Sequence, residues 1–198
     1  MDDPALQYAA LIGSRICHDL ISPIGAISNG LELMQLSGSG AGPEMDLIGE
    51  SVTNANARIR LFRLAFGAAG DQMVGPVEVK SILGDAYQTG RHTVEWRATG
   101  PQPRVDVRLA CLGIMCLEIA MPMGGTIRAE CENDQWVLIG QAKRIVIDPD
   151  LWDMLRGQST SAEIKPSVVQ FALMPAYARA GGRRIDYAQT EEEIRLLF

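Results

Sequence analysis

Apolar residues recur at helical spacing over the N-terminal part of the chain. From Pro4 to about Leu36 nothing interrupts one long helix, and Leu20, Ile24, Ile27, Leu31 and Met34 make a stripe in steps of three and four. The run Ser37-Gly38-Ser39-Gly40-Ala41-Gly42-Pro43 then forms a loop, because no helix continues through so many glycines. A second helix is expected from about Pro43 to Phe66, where Ile48, Val52, Ala55, Ile59, Phe62 and Phe66 alternate steps of four and three. Two antiparallel helices cannot bury both stripes against each other alone. The commonest completion is a two-fold pair of hairpins giving four helices, so a homodimer is expected.

Glycine and proline concentrate from Gly67-Ala68-Ala69-Gly70 to Gly75-Pro76, and the pattern changes afterwards. This divides the chain into a helical hairpin at 1–70 and a mixed domain at 75–198. Val77 to Gln88 reads as a helix, Thr93 to Ala98 as a strand, and Val107 to Met121 as an apolar helix stopped by Pro122 and Gly124-Gly125. Thr126 to Cys131 and Trp136 to Ala142 flank the turn signal Asn133-Asp134 and form a hairpin. Asp148-Pro149 begins a short helix that Gly157 ends, and a further helix from about Ser167 to Ala180 stops at Gly181-Gly182. Two last strands, Arg183 to Ala188 and Glu192 to Phe198, complete an α+β fold with helices layered on one face of a mixed sheet.

Composition narrows the function. The chain has 198 residues, 47% hydrophobic and 21% charged, which is ordinary globular composition. Its formal charge of −6 disfavours a surface that neutralises nucleic-acid phosphates. The longest apolar run, Leu109 to Met123, is broken by Glu118 and Pro122 and falls short of the roughly 20 residues of a membrane helix. No basic region precedes an apolar one after Met1, so no secretory signal is visible and a cytoplasmic location is expected. Cys17, Cys111, Cys116 and Cys131 form no Cys-x-x-Cys pair, and with only two histidines beside them they read as buried reduced thiols rather than a metal set.

The most informative stretch is Ser14-Arg15-Ile16-Cys17-His18-Asp19-Leu20-Ile21-Ser22-Pro23. At about 100° per residue, His18 stands about 160° from Leu20 and about 180° from Ile27, so it faces solvent. Ser14, Ile21, Ser22, Gly25 and Asn29 share its stripe with Leu11 and Arg15, and these mostly small neighbours leave the imidazole open to a bulky partner. Arg15 is placed to meet a phosphoryl oxygen or the partner itself. Asp19 can accept from the imidazole Nδ1–H, fixing the tautomer and leaving Nε2 as nucleophile. Pro23 removes the hydrogen bond to the Asp19 carbonyl at a cost of about 3 kcal/mol, so the distortion falls beside the histidine. His, an acid and Pro at this spacing arise by chance in about one chain in a hundred with two histidines, which is suggestive only.

The segment His18-Asp19-Leu20-Ile21-Ser22-Pro23 resembles the H-box of the dimerisation and phosphoacceptor domain of sensor histidine kinases. The wider run from Arg15 through Pro23-Ile24-Gly25-Ala26-Ile27-Ser28-Asn29-Gly30-Leu31-Glu32-Leu33 resembles more closely the alphaproteobacterial histidine phosphotransferases of the ChpT type. Met121-Pro122-Met123-Gly124-Gly125 and Ala180-Gly181-Gly182-Arg183 are similar to turns of kinase ATP-binding domains. The resemblance implies a dimeric four-helix bundle bearing the phosphoacceptor His18, followed by an α/β sandwich descended from a kinase ATPase fold.

If Gly124-Gly125 matches the turn after the kinase N-box helix, Leu112 and Cys116 hold the positions of the asparagines that bind Mg and nucleotide, and neither coordinates a hard cation well. No Asp-x-Gly-x-Gly lies between Gly140 and Gly157, and 163–177 contains no glycine to close over phosphates. The expectation is a chain with no cofactor of its own, which docks response-regulator receiver domains and the receiver of a hybrid histidine kinase, with Mg2+ on the receiver. His92 lies outside any motif and reads as structural or merely exposed, and Arg58, Arg60 and Arg63 read equally as a docking face or a solvated one. Two rival readings stand: an ATP-dependent sensor kinase core, and a non-catalytic adaptor that dimerises and binds receivers.

Overall fold

The computed structural model describes residues 4–37, 42–68, 70–158 and 163–198. The chain opens with two long helices, α1 at Pro4–Ser37 and α2 at Pro43–Ala65. The loop expected between them lies, at 38–41, outside the described residues. Pro43 at the first turn of α2, followed by Glu44 and Asp46, suits the start of a helix, where no donor is lost and negative charge meets the positive end of the dipole. α1 runs unbroken through Pro23, which is buried.

The two helices meet along a line that the apolar stripes mark only in part. Pro23 and Gly30 are buried on α1, and a Cβ at Gly30 would press on the Ile48 side chain, so a missing side chain is what lets the helices approach. Leu20, Ile27 and Met34 are half-buried, while Ile24 and Leu31 keep 54% and 49% of their surface. Opposite them on α2, Val52 and Ile59 are also exposed. Successive helix residues are about 100° apart, so the exposed stripe through Leu31 stands beside the contact line through Gly30.

Beyond the hairpin come β1 (Met73–Val74), α3 (Pro76–Tyr87), β2 (His92–Trp96), β3 (Gln102–Pro103) and α4 (Arg104–Ala120). They are followed by β4 (Gly125–Glu132), β5 (Gln135–Gln141), α5 (Pro149–Leu155), a 3-10 turn at Pro166–Val168, α6 (Gln170–Ala180), β6 (Asp186–Gln189) and β7 (Glu193–Leu197). The main sheet has the order β2-β4-β5-β7-β6, with β2 and β4 parallel and the other neighbours antiparallel. Asn133 and Asp134 both take positive φ, 49° and 65°, making the tight turn that joins β4 to β5. Asp148 caps α5 by accepting from the Asp150 N–H at 3.1 Å.

Ile127, Ala129, Trp136, Leu138, Ile194 and Leu196 point from one sheet face into a core closed by α4 and α6. Gly113 of α4 sits where a Cβ would run into Leu138, so α4 lies close on the sheet. The same buried cluster takes in Leu61, Phe62, Leu64 and Ala65 from the end of α2, so hairpin and mixed layer share one core. No helix among the described residues is long and apolar enough to cross a membrane.

One expectation needs correction. All four cysteines are free, yet only Cys111 and Cys116 are buried; Cys131 is half-buried and Cys17 is exposed. Cys17 lies about 20° around α1 from Ile24, on the same exposed stripe rather than against the mixed layer. Burial pushes the Cys111 thiol up to about 12, which leaves it inert.

Candidate functional site

His18 projects from α1 with 82% of its side chain exposed. Its Nδ1 lies 3.1 Å from Asp19 Oδ1, and among the described residues no hydrogen bond engages Nε2. A carboxylate can only accept, so the contact selects the tautomer protonated on Nδ1. Around the imidazole, Ser14, Ile21, Ser22, Gly25 and Asn29 are all exposed, Ile21 at 68%. The five candidate docking residues therefore form one open surface with the ring.

Asp19 faces the other way, with 11% of its side chain exposed. Its Oδ2 accepts from Arg15 Nε at 2.9 Å and lies 3.6 Å from Arg58 Nη1 of α2. Arg58 is in turn anchored through Nε on Asn54 Oδ1 at 3.2 Å. Arg15 reaches past Asp19 to donate through Nη1 to the Ser167 carbonyl of the 3-10 turn. That same carbonyl accepts from Gln170 Nε2, at 3.3 Å, and Gln170 also donates to the Met115 carbonyl of α4. Arg15 is thus half-buried and engaged inside the chain, tying the histidine-bearing helix to the mixed layer.

Behind Asp19 lies a cavity of about 380 Å³ between hairpin and mixed layer, lined by Arg15, Asp19, Arg58, Tyr87, His92 and Glu118 among others. His92 is buried, and its Nε2–H donates to the Met121 carbonyl at 2.8 Å, while Nδ1 stands 3.8 Å from Glu118. Tyr87 donates its hydroxyl to Glu118 at 2.9 Å. Burial holds the Glu118 carboxyl above the usual carboxylate range, with the Tyr87 hydroxyl, His92, Arg15 and Arg58 working against the rise. Burial also pushes Tyr87 up, and the Glu118 charge adds to it.

His92 is thereby a structural residue at the start of β2. Sequence reasoning missed Glu118 and Tyr87, which looked like a break in an apolar run and the end of a helix. A carboxylate inside the apolar run from Leu109 to Met121 was the available signal. Arg60 pairs with Asp85 at 2.7 Å, fastening α2 to α3, whereas the Arg63 side chain is exposed. Leu112 and Cys116 are wholly buried in α4. Among the described residues no three His, Cys, Asp or Glu side chains gather into a metal-holding group.

The family described as histidine phosphotransferase C-terminal domain matches residues 76–193. Over 197 residues the chain is 30% identical to protein phosphotransferase ChpT of Brucella abortus (strain 2308), covering 96% of this chain and 94% of that protein. A solved bacterial phosphotransferase superposes with a TM-score of 0.84 at 30% identity, covering 100% of this chain and 98% of the other. The chain belongs to the histidine phosphotransferase family. Its activity is accordingly that of a phosphotransferase in a phosphorelay.

Proposed function

We propose that His18 carries the phosphoryl group, shuttling it between receiver-domain aspartates without the use of ATP. The observation that carries the reading is the His18 imidazole, 82% exposed, with Nδ1 on Asp19 and no hydrogen bond to Nε2 among the described residues. Nε2 attacks the phosphorus of a receiver's aspartyl phosphate; an N–P bond forms, the P–O bond to the aspartate breaks, and the carboxylate leaves. The reverse reaction passes the group to the next receiver. Screening of the phosphoryl oxygens would come from Mg2+ held by the receiver, while this chain supplies the nucleophile and its orientation. Ser14, Ile21, Ser22, Gly25 and Asn29 present an exposed face of mostly small side chains to the incoming domain, which suits response-regulator receivers and the receiver of a hybrid kinase alike.

The exposed stripe Ile24, Leu31, Val52 and Ile59 supports a homodimer, because a second hairpin covers these residues. The reading without ATP is supported by Leu112 and Cys116, which are apolar, wholly buried and packed into the core. The setting is a cytoplasmic phosphorelay in which the mixed layer serves docking rather than nucleotide binding.

The test mixes the purified protein with a radiolabelled phosphorylated receiver domain and compares the wild type with His18→Ala. Label on the wild type alone is expected. Equal label on His18→Ala, or labelling of the wild type from Mg-ATP with no receiver present, contradicts the proposal.

A further inference from the structure

Asp19 is an unusual neighbour for an exposed histidine, because almost all of its own side chain is enclosed. A carboxylate taken out of water needs cationic or hydrogen-bonding partners, and here it has two guanidinium groups, each anchored elsewhere. Arg15 comes from one turn earlier on the same helix and is held by the Ser167 carbonyl. Arg58 comes from α2 and is held by Asn54. Both act on Oδ2, which leaves Oδ1 directed at His18 Nδ1.

We propose that Arg58 is a positioning residue for phosphoryl transfer: with Arg15 it clamps Asp19 Oδ2, so that Oδ1 holds His18 in the tautomer whose Nε2 is free. The inference rests on His18 being the phosphoacceptor. Arg58 never touches phosphate or receiver and acts through Asp19 alone. The side chain is 39% exposed, yet its contacts run inward, to Asn54 and Asp19, and it lines the cavity shared with Glu118. Arg15 could fix Asp19 along one direction only, from its own helix. A second guanidinium from α2 closes the remaining freedom of the carboxylate and makes the imidazole geometry depend on how the two helices pack.

The rival role for Arg58 is a cation that docks an acidic receiver, and the two roles separate in measurement. Nitrogen-15 NMR of the free protein reads the tautomer of each imidazole, and the chain has only His18 and His92. The His92 signal is distinguished by its Nε2–H bond to the Met121 carbonyl. In Arg58→Gln, the His18 population protonated on Nε2 is expected to rise severalfold. Single-turnover phosphoryl uptake at saturating receiver should fall about tenfold, with little change in the half-saturating concentration. Asn54→Leu, which frees the Arg58 anchor, should shift both readouts the same way but less, and Arg58→Lys should restore part of the loss.

An unchanged His18 tautomer in Arg58→Gln, with only the half-saturating receiver concentration raised, overturns the proposal in favour of docking. Loss of the folded spectrum in both Arg58→Gln and Asn54→Leu also overturns it, by assigning Arg58 to holding the hairpin together. Failure of the underlying reading looks different: the wild type itself takes no label, whatever the tautomer shows.

Discussion

If a second copy of the chain covers the exposed hairpin stripe, as proposed, replacing Leu31 by Glu should separate the two copies without unfolding either. Leu31 keeps 49% of its surface exposed on the stripe beside the α1–α2 contact line. Full burial of a leucine side chain contributes about 1.5–3 kcal/mol, so covering the remaining half adds roughly 0.75–1.5 kcal/mol. In a two-fold dimer the position occurs twice, and its loss weakens association by about 1.5–3 kcal/mol, roughly ten- to 150-fold in the dissociation constant. The carboxylate must also leave water at the interface, which adds to the loss. Sedimentation velocity over a concentration series measures the shift, with far-UV circular dichroism confirming that the helices persist. Val77→Glu provides the control, since Val77 is 81% exposed on α3, outside the hairpin. A Leu31→Glu protein that sediments as the wild type does, at every concentration, refutes the assignment of this stripe to the dimer.

Asp19→Asn keeps the shape of the side chain but removes the charge that both arginines and the imidazole face; phosphoryl uptake at saturating receiver should fall about ten- to hundredfold. An unaltered rate would mean that Asp19 does not orient the ring. Glu118 gives a pH signature. Because burial raises its pKa above the ordinary 4.5, the folded chain holds this proton more tightly than the unfolded chain, and stability falls as pH rises from about 4.5 upward. Glu118→Gln should therefore gain stability relative to the wild type as pH rises above about 4.5 in urea unfolding, and parallel profiles would contradict this. Gly124 has φ 88°, and a Cβ there would meet the Arg91 carbonyl oxygen, so Gly124→Ala should cost about 2 kcal/mol or more in the same assay.

Local chemistry made much of the fold legible. The long helices, the Asn133-Asp134 turn and the Asp148 cap are each written in a few adjacent residues, and each stands where its residues indicate. Elements that depend on distant partners were harder to read. β1 and β3 are two residues each and exist because they pair with one another, leaving no periodicity to detect. The helix expected from Ser167 opens instead as a 3-10 turn at Pro166–Val168, and the strand expected from Arg183 begins at Asp186.

The site divides in the same way. The outward direction of His18 follows from helical angle alone, and so does its sharing a face with Ser14, Ser22, Gly25 and Asn29. The contact line on α1 runs through Gly30, where the absence of a side chain is the signal and apolar counting is blind to it. Arg15 was expected to meet a phosphoryl oxygen or the partner, whereas its guanidinium is turned to Asp19 and Ser167, the latter 152 residues away in sequence. The Arg58–Asp19 pair and the Tyr87–Glu118–His92 group likewise join helices and strands whose spacing in sequence carries no trace of the contact.

The anchor for Arg15 on the mixed layer is a main-chain oxygen, which every amino acid possesses. Position 167 is therefore free to drift in identity without releasing the histidine-bearing helix. Only a change at the arginine, or a displacement of the backbone itself, can undo that tether, so divergent copies of this gene can exchange serine there and keep the same mechanical connection.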